Sequence, residues 1–476
     1  MEEHAVIPST LYVDLDGTFT KSDLLFESLV IAIKNNPLNM FLCFFWLLKG
    51  KAYLKHQLSQ RADVDTKLLP LNSEFYTFLL EEKSKGRKVV LATASNEKYA
   101  KRICNESDLF DSYISSDINS NLKGKAKLLL IQSKNEKFSY AGNSREDFII
   151  FEKCEESYLV NPTKKAKKLA VQSPTSKTFD DSYVSKLVWI KQLRVHQWLK
   201  NLLILVPLIV SGKFMDSDSI LLSVLGFISF SCLASATYII NDLLDLESDR
   251  SHIRKKSRPL AAGTISLVNG KIAAIILFVL AFAIASTLND LFNLVLILYL
   301  VLTLAYSLKV KQYIGMDVIA LASLYTVRII AGAVIVGVTM SFWLLSFSMF
   351  VFLSLAIIKR CAELKSLEET TKVRTTGRDY HVEDYMVLMS IGTSSAMLSI
   401  LMFCFYVNSN VLADQYQQPT LLWLILPALC YWMMRMWIKT HRGEMHDDPI
   451  VFSLKDKGSI VTIGFMGFIA LLAQVL

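Results

Sequence analysis

The sequence contains no closely paired cysteines, although seven cysteines are scattered through its 476 residues. Their positions give neither a disulfide framework nor the ligand spacing of a zinc site, so we interpret them as small apolar residues of a reducing compartment. An apolar leader is also missing, because residues 1–10 carry acidic side chains and no hydrophobic run. We therefore expect no secretory signal peptide.

Apolar runs long enough to cross a bilayer are absent from residues 1–185 and frequent beyond residue 200. The chain is 52% hydrophobic, which is too apolar and too long for one soluble domain. A membrane-spanning helix needs about twenty apolar residues. We predict nine spans, at residues 199–212, 219–241, 271–288, 291–308, 317–338, 342–358, 385–407, 419–438 and 459–476.

Basic residues are scarce in every second loop between these spans, where only Lys213 occurs. The positive-inside rule then predicts a multi-pass protein of the inner (cytoplasmic) membrane, with the N-terminal region in the cytoplasm and the C-terminus outside. The net charge of +8 belongs mainly to this cytoplasmic face, so it does not indicate nucleic acid as a partner. The charged loops contain Arg250, Arg254, Lys255, Lys256, Arg258, Lys271, Lys309, Lys311, Lys359, Arg360, Lys365, Lys372, Arg374, Arg378, Lys439, Arg442, Lys455 and Lys457.

Three carboxylates follow the second predicted span. Asp242, Asp245 and Asp249 recur at i, i+3 and i+7, so on a continuous helix they share one face. Such a cluster needs a counter-charge, and Mg²⁺ prefers oxygen ligands while keeping substrate phosphates in its shell. The motif predicts a diphosphate held by magnesium at the membrane surface, whereas the alternative is a solvated helix end.

Two further carboxylates, Asp14 and Asp16, follow a short β-like run near the N-terminus, and Gly17 permits a tight bend after them. This arrangement suits a phosphoryl acceptor and its acid–base partner. A second apolar run ends in hydroxyl groups, and two more polar motifs follow at intervals. The four motifs are Val13-Asp14-Leu15-Asp16-Gly17-Thr18, Lys88–Ser95, Asn121–Lys125 and Tyr140–Asp147.

Their order resembles the haloacid dehalogenase superfamily, whose members have a Rossmann-like α/β fold and include magnesium-dependent phosphatases. The resemblance implies that Asp14 attacks phosphorus, that Asp16 moves the proton, and that Thr93 and a lysine hold the phosphoryl oxygens. Lys123 fits an Asn-x-Lys-Gly pattern, and Lys127 is the alternative.

One position departs from the superfamily pattern, because Asn143 follows Gly142 where an acid is usual. An amide oxygen can coordinate Mg²⁺ without charge, which would leave more of the metal binding to Asp147. The resemblance therefore implies a metal set of Asp14, Asp16, Asn143 and Asp147. A degenerate, regulatory domain is the alternative.

The phosphatase-like region is expected to cover residues 1–163, with a helical cap at residues 21–85. Within the cap, residues 40–48 are strongly apolar but too short to cross a membrane. They either lie in the membrane interface or pack inside the cap. Residues 164–189 are rich in Lys, Ser and Thr and are predicted to be a basic linker beside the membrane.

Residues 190–476 resemble the UbiA family of intramembrane transferases, an all-α bundle of nine transmembrane helices. The motifs are most similar to its polyprenyl-phosphate phosphoribosyltransferase branch. They are Arg194-x-x-Gln197-Trp198-x-Lys200-Asn201, Asn241-Asp242-x-x-Asp245-x-x-x-Asp249-Arg250, Tyr306-Ser307 with Lys311 and Asp317, Arg328, and Lys359-Arg360-x-x-Glu363.

The resemblance implies that Asp242, Asp245 and Asp249 hold Mg²⁺ on the diphosphate of phosphoribosyl diphosphate, and that a lipid phosphate is the acceptor. A fused phosphatase would then remove the 5-phosphate from the product. For Arg328, the structural alternative is a pair with Asp317 or with a helix-end carbonyl. The substrate-binding residues implied are Lys200, Asn241, Arg258, Tyr306, Lys309, Asp317, Arg328, Lys359 and Arg360.

Two other functions fit the sequence. The first is a UbiA-type aromatic prenyltransferase for quinone or haem synthesis, with a regulatory front domain. The second is a transporter or receptor carrying a regulatory domain, although that function does not explain acids collected at one membrane face. The sequence leaves the lipid chain length and the oligomeric state open.

Overall fold

A computed structural model describes residues 9–170, 176–181, 184–368, 378–409, 412, 416–445 and 448–476. Lys372, Arg374 and parts of the predicted linker (residues 171–175 and 182–183) lie outside these ranges. The chain divides into two compact units. The sheet unit comprises Met1–Leu193 and Ile239–Ile272, and the helical unit comprises Arg194–Tyr238 and Ala273–Leu476.

The sheet unit is built on six parallel strands in the order β3-β2-β1-β4-β5-β6. The inner strands are buried on both faces because they are near-continuous apolar runs, as parallel sheets covered by helices require. The strands are β1 Thr10–Val13, β2 Val89–Asn96, β3 Ser112–Ser116, β4 Phe138–Gly142, β5 Ser157–Val160 and β6 Lys177–Phe179.

The strand order reverses beside β1. The chain passes from β1 outward through β2 and β3, and then returns to place β4 on the other side of β1, with Val13 opposite Ala141. Ligands of open parallel sheets bind outside the carboxyl ends of the strands at such a reversal. The topology therefore brings the residues after Val13 and after Gly142 to one crevice.

Ten helices belong wholly to the sheet unit. They are α1 Leu24–Asn35, α2 Asn39–Leu48, α3 Lys51–Arg61, α4 Ser73–Ser84, α5 Glu97–Glu106, α6 Lys125–Lys134, α7 Phe148–Phe151, α8 Lys164–Ala170, α9 Lys186–Gln192 and α12 Leu246–Ser251, together with the 3₁₀ turns Thr66–Leu68, Arg145–Asp147 and Lys255–Ser257.

The predicted linker at 164–189 is wrong in its described part, because that part contains α8, β6 and the beginning of α9. The Ser/Thr-rich composition is typical of a linker, and β6, with only three residues, is too short to give a strand pattern in the sequence. Phe179 is buried in that strand, and its ring lies 5.3 Å from the ring of Phe75 and 5.1 Å from that of Phe78. These aromatic contacts hold β6 against the sheet.

The helical unit contains most of the apolar sequence. Its elements are α10 Val206–Val210, α11 Ser217–Leu244, α13 Leu267–Ala285, α14 Asp290–Leu308, α15 Met316–Val336, α16 Phe342–Glu368, α17 Tyr385–Val407, α18 Ile425–His441, α19 Pro449–Ser453 and α20 Lys457–Val475, with 3₁₀ segments at Val195–Leu205, Lys213–Met215, Val310–Gln312, Val382–Asp384 and Pro419–Leu424. The last six residues of α11 and the first six of α13 belong to the sheet unit.

Within the described residues, eight helices are long and apolar enough to cross a membrane. The predicted number of nine is reached only if Lys186–Gln192 and Val195–Val210 count as one span. A multi-pass membrane protein fits this pattern.

Close packing inside the helical unit depends on Gly332 of α15. A Cβ atom at this position would lie 2.0 Å from the backbone oxygen of Ile204, and a backbone atom cannot move aside as a side-chain tip can. Small residues permit such approaches between membrane helices. Gly464 of α20, by contrast, has open space around its Cβ position.

We predict that Gly332→Ala lowers the free energy of unfolding by about 1–3 kcal/mol, because it overpacks a tight contact. Gly464→Ala is the matched control and should leave the thermal midpoint in detergent unchanged or slightly higher. Thermal unfolding of the two purified variants measures the difference. Equal midpoints would contradict the packing described for α15.

Candidate active sites

The carboxyl end of β1 carries a buried chain of polar contacts. Lys127 Nζ donates to Asp14 Oδ1 at 2.8 Å and to Tyr140 Oη at 2.9 Å, and Tyr140 Oη donates to Asp147 Oδ1 at 2.9 Å. Burial raises the pKa of Asp14 against the opposing effect of Lys127. Burial disfavours the charge on Lys127, but Asp14 and Asp147 outweigh it and raise the lysine pKa. The result is a cation fixed on one oxygen of Asp14.

Asp16 lies on the next turn and is held at both oxygens. Leu24 N donates to Oδ1 at 2.9 Å, and Ser95 Oγ donates to Oδ2 at 2.5 Å. Burial, with a contribution from the nearby charge of Asp23, raises the pKa of Asp16 to about 7. A carboxyl group with a pKa near neutral can both give and accept a proton.

Gly17 makes room for Asn143. With φ of +80°, Gly17 adopts a conformation that other residues rarely adopt, and a Cβ atom there would lie 2.0 Å from Asn143 Nδ2. The structure therefore brings the turn after β1 and the turn after β4 together, as the sequence motifs predict.

The two candidate lysines of the sequence lie in different places. Lys127 contacts Asp14, whereas Lys123 pairs with Glu146 at 3.0 Å and its side chain is 52% exposed. This geometry favours Lys127 over the first choice, Lys123, as the lysine beside Asp14. Thr93 is buried and accepts a hydrogen bond from Ser95 N at 2.9 Å.

Lys55 was not predicted as part of this crevice, and Tyr140 and Ser95, although they lie inside the quoted motifs, were assigned no role there. Lys55 comes from α3 of the cap, and its Nζ donates to Ala94 O at 2.6 Å and to Asn121 Oδ1 at 3.0 Å. Burial lowers its pKa despite the nearby acids Asp16, Asp23 and Asp14. No spacing rule links a cap lysine to the end of β2, so this contact could not be predicted from the sequence.

Magnesium fits this crevice in ligand chemistry, since oxygen donors are clustered there. Asp147 is the weakest candidate, because Oδ1 accepts from Tyr140 and Oδ2 accepts from Ser144 N, Ser144 Oγ and Asn143 N. In the part of the chain that the structure describes, no three His, Cys, Asp or Glu side chains converge as a metal site, here or elsewhere.

The acidic motif of residues 241–250 is bent rather than continuous. Helix α11 ends at Leu244, and α12 begins after Asp245, which has non-helical φ and ψ of −105° and 14°. The expected single face of three acids is therefore wrong, because the break turns Asp245 away. Asp245 pairs with Lys34 at 3.4 Å. The Asp245 side chain is partly exposed, whereas Asp242 and Asp249 are buried.

Asp242 and Asp249 do converge, and Arg258 joins them. One guanidinium nitrogen, Nη1 of Arg258, lies 3.1 Å from Asp242 Oδ1 and 2.5 Å from Asp249 Oδ2. Gln192 Nε2 donates to Asp242 Oδ2 at 2.9 Å. Burial raises the pKa of Asp249, and Arg258 opposes that rise.

Two acceptor oxygens are unsatisfied, one on Gln192, which contacts the acid pair, and one on Asn241, which precedes Asp242 in the sequence. Gln192 Oε1 and Asn241 Oδ1 are buried, and within the described residues neither has a hydrogen-bond partner. Buried acceptors without a partner are costly and are commonly satisfied by an ion or a ligand. A hydrated divalent cation, or a hydroxyl-bearing substrate, fits this set of oxygen donors.

Arg250, the last residue of the acidic motif, anchors the motif to the cap. Arg250 Nη1 and Nη2 contact Glu27 Oε2 and Oε1 at 3.0 and 2.8 Å, and the two side chains are only 6% and 5% exposed. Arg250 Nε also donates to Ala261 O at 3.1 Å. Glu27 belongs to α1, whose first residue, Leu24, donates to Asp16. One helix therefore contacts both acidic centres of the sheet unit.

In the helical unit, two predicted substrate-binding lysines meet at an acid that was not predicted. Asp448 Oδ2 lies 2.7 Å from Lys200 Nζ and 3.2 Å from Lys359 Nζ, and Tyr325 Oη donates to it at 3.2 Å. Burial would raise the pKa of Asp448, but the two lysines hold it well below its usual range. Asp448 is the N-cap of α19, so its place in the sequence indicates a helix start and not a contact with two lysines.

Arg328 is buried beside this cluster and is oriented by polar and aromatic groups. Its guanidinium donates to Asn201 Oδ1 at 2.9 Å, to Tyr299 Oη at 3.3 Å and to Leu324 O of its own helix. Leu324 lies inside α15, so its carbonyl is not the helix-end carbonyl of the structural alternative. The guanidinium also lies 5.0–5.7 Å from the ring centres of Tyr299, Phe230 and Tyr325.

Asp317 does not pair with Arg328. It pairs with Arg360 Nε at 2.7 Å and accepts from Tyr380 Oη at 2.5 Å, and all three side chains are buried. Tyr306 Oη accepts from Arg360 at 3.3 Å, so these predicted substrate-binding residues largely satisfy one another. Lys309 is exposed just beyond the end of α14.

An apolar cavity of about 440 Å³ lies within the helical unit. Leu199 and Ile450 line it, one residue before Lys200 and two residues after Asp448. The cavity therefore extends from the neighbourhood of the cationic cluster. Its other walls include Val206, Phe347, Phe352, Leu355 and Trp432.

Comparison with known proteins identifies the second half of the chain. Residues 203–455 match the model of the UbiA prenyltransferase family. The uncharacterized protein y4nM of Sinorhizobium fredii is 36% identical over 94% of this chain and 88% of its own. The decaprenyl-phosphate phosphoribosyltransferase of Mycobacterium tuberculosis is 34% identical over 45% of this chain and 72% of its own.

A solved UbiA homolog from Archaeoglobus fulgidus, bound to GPP and Mg²⁺, aligns with a TM-score of 0.47 at 20% identity, over 60% of this chain and 99% of its own. The family match covers more than half of the present sequence, and the y4nM match covers nearly all of it. The chain belongs to the UbiA prenyltransferase family.

Proposed function

We propose that the protein transfers the 5-phosphoribosyl group of phosphoribosyl diphosphate to a polyprenyl phosphate and releases diphosphate. The observation that carries this proposal is the cluster around Asp448, where Lys200, Lys359 and Arg328 outnumber one carboxylate. A buried excess of positive charge favours an anionic ligand. The likeness to the mycobacterial phosphoribosyltransferase supports the same substrate class.

The acid pair and its arginine are assigned to the donor. Asp242 and Asp249, with the acceptor oxygens of Asn241 and Gln192, would hold Mg²⁺, which when bound neutralises the diphosphate leaving group. Arg258 is placed to donate to diphosphate oxygens. The C1–O bond to diphosphate breaks with both electrons leaving on diphosphate, and a lipid phosphate oxygen forms the new bond to C1.

The apolar cavity is assigned to the polyprenyl chain. Its walls are aliphatic and aromatic, and two of its lining residues adjoin Lys200 and Asp448 in sequence. A lipid phosphate held by the lysines would thus place its chain in the cavity. The placement of Asp317 disfavours an aromatic prenyltransferase, because this acid is engaged by Arg360 and Tyr380 instead of joining a second acidic metal site.

We assign a phosphatase activity to the sheet unit, with the 5-phosphate of the lipid-linked product as its substrate. Lys127 holds Asp14 Oδ1, so Oδ2 is the oxygen assigned to attack phosphorus and form an aspartyl phosphate. Asp16 would protonate the leaving oxygen and later accept a proton from water, which its raised pKa favours. The strand reversal beside β1 supports a ligand site here.

The excess of Lys and Arg in alternate loops supports an inner-membrane location, with the sheet unit in the cytoplasm and the C-terminus outside. Tethering would then raise the effective concentration of the phosphatase for a phosphorylated lipid made by the same chain.

We predict that purified protein with Mg²⁺, labelled phosphoribosyl diphosphate and decaprenyl phosphate yields a labelled lipid identified by mass. Asp242→Asn should lower this turnover about 10²-fold, because the Mg²⁺ that neutralises the leaving group would lose one charged ligand. Asp290→Asn, at an exposed acid in the first turn of α14, is the control and should retain activity.

Near wild-type turnover of Asp242→Asn at saturating Mg²⁺ would overturn the assignment of the acids. A product formed only from a prenyl diphosphate and an aromatic acid would establish the aromatic prenyltransferase instead.

We predict that Asp14→Asn leaves phosphoribosyl transfer intact but makes the 5-phosphorylated lipid accumulate. The neutral amide cannot act as the nucleophile, and the transferase residues are untouched. Mass analysis of the lipid products over time gives the ratio of phosphorylated to dephosphorylated lipid. The same ratio for Asp14→Asn and the unmodified chain would show that the sheet unit does not act on this lipid.

A further inference from the structure

Helix α2 of the cap exposes nearly all of its apolar side chains. Trp46 is its one buried hydrophobic residue, packed with Ala32 and Leu58 in a small cap cluster. The other large side chains are 40–71% exposed. They are Met40, Phe41, Leu42, Phe44, Phe45, Leu47 and Leu48. Packing inside the cap therefore does not account for the composition of this helix, and an exposed apolar surface of this kind marks an interaction site.

The charge around α2 has one sign. From Ser28 to Ala62 the sequence contains no Asp or Glu, whereas it contains Lys34, Lys49, Lys51, Lys55 and Arg61. Lys49 and Lys51 are exposed directly after the helix, beside the aromatic and aliphatic side chains of α2. An apolar helix with cationic residues at its end matches a surface whose interior is hydrocarbon and whose rim is anionic.

We propose that α2 docks on the surface of the lipid bilayer, with its phenylalanines and leucines among the acyl chains and with Lys49 and Lys51 at anionic headgroups. A helix of ten residues is about 15 Å long, which is half of the hydrocarbon thickness, so it lies in the interface and does not cross. The membrane-spanning helices of the same chain hold the protein in the bilayer, so α2 has a high effective concentration at the bilayer surface. The docking therefore needs little intrinsic affinity.

The docking gives the cap a defined role. Lys55 of α3, seven residues after the end of α2, reaches the end of β2 close to Asp16. A cap fixed at the lipid surface would present this crevice to headgroups and not to soluble phosphates. This consequence rests on the proposed phosphatase, whereas the docking itself does not.

The test uses the full-length protein in nanodiscs of phosphatidylcholine containing a lipid with a photoreactive group on its acyl chain. After illumination, mass spectrometry quantifies lipid adducts on the peptide that contains α2 and on the peptide that contains α4, where Leu80 is 46% exposed. We expect several-fold more adduct on the α2 peptide. Replacing Phe44 and Phe45 by Asp should abolish the excess, while labelling of the α14 span serves as an internal standard.

A second arm adds phosphatidylserine to the nanodiscs. Labelling of α2 should rise with the anionic lipid in the unmodified chain and should not rise in the Lys49→Glu, Lys51→Glu variant. Equal labelling of the α2 and α4 peptides would overturn the proposal. So would lipid labelling of α2 that is high in nanodiscs with one copy of the protein and low in nanodiscs with two, because a second chain would then cover this face. Neither outcome depends on whether the sheet unit is a phosphatase.

Discussion

A carboxylate removed from water is stabilised by a counter-charge, and this requirement organises four acidic centres within the described residues. Each centre is an ion pair between buried acids and at least one cation. The pairs are Asp14 with Lys127, Asp242 and Asp249 with Arg258, Glu27 with Arg250, and Asp448 with Lys200 and Lys359. Breaking a buried pair by removing one partner typically costs about 3–5 kcal/mol. These cations hold the acids in place.

The sequence predicted the parts of these centres that depend on local order. Strand-end motifs located Asp14, Asp16 and Asn143 because parallel strands end at one edge. The resemblance carried by these motifs implied an α/β front region, and apolar run lengths predicted a helical second half; both are confirmed. The sequence could not predict contacts made by distant residues. Asp448, Tyr140 and Lys55 reach their sites through tertiary packing, and the break at Asp245 overrides a spacing that fits a continuous helix.

Helix α1 of the cap contacts both the crevice after β1 and the acidic motif of residues 241–250. Within one turn of α1, Leu24 holds Asp16 and Glu27 holds Arg250, the residue next to Asp249. A hinge motion of α1 would have to break a buried bidentate ion pair, so the two acidic centres of the sheet unit are held in fixed relation. The proposed transferase and phosphatase residues of the sheet unit are therefore joined by helix α1 and not only by a linker.

We propose that Asp242 and Asp249 hold a metal-bound diphosphate and that Arg258 neutralises the two acids when the metal is absent. Anomalous scattering from crystals grown with Mn²⁺ and phosphoribosyl diphosphate locates the metal. We expect a manganese peak within bonding distance of both carboxylates, with Arg258 turned from them toward the diphosphate. Bound phosphoribosyl diphosphate with no manganese at these acids, and with Arg258 still paired to both, would contradict it.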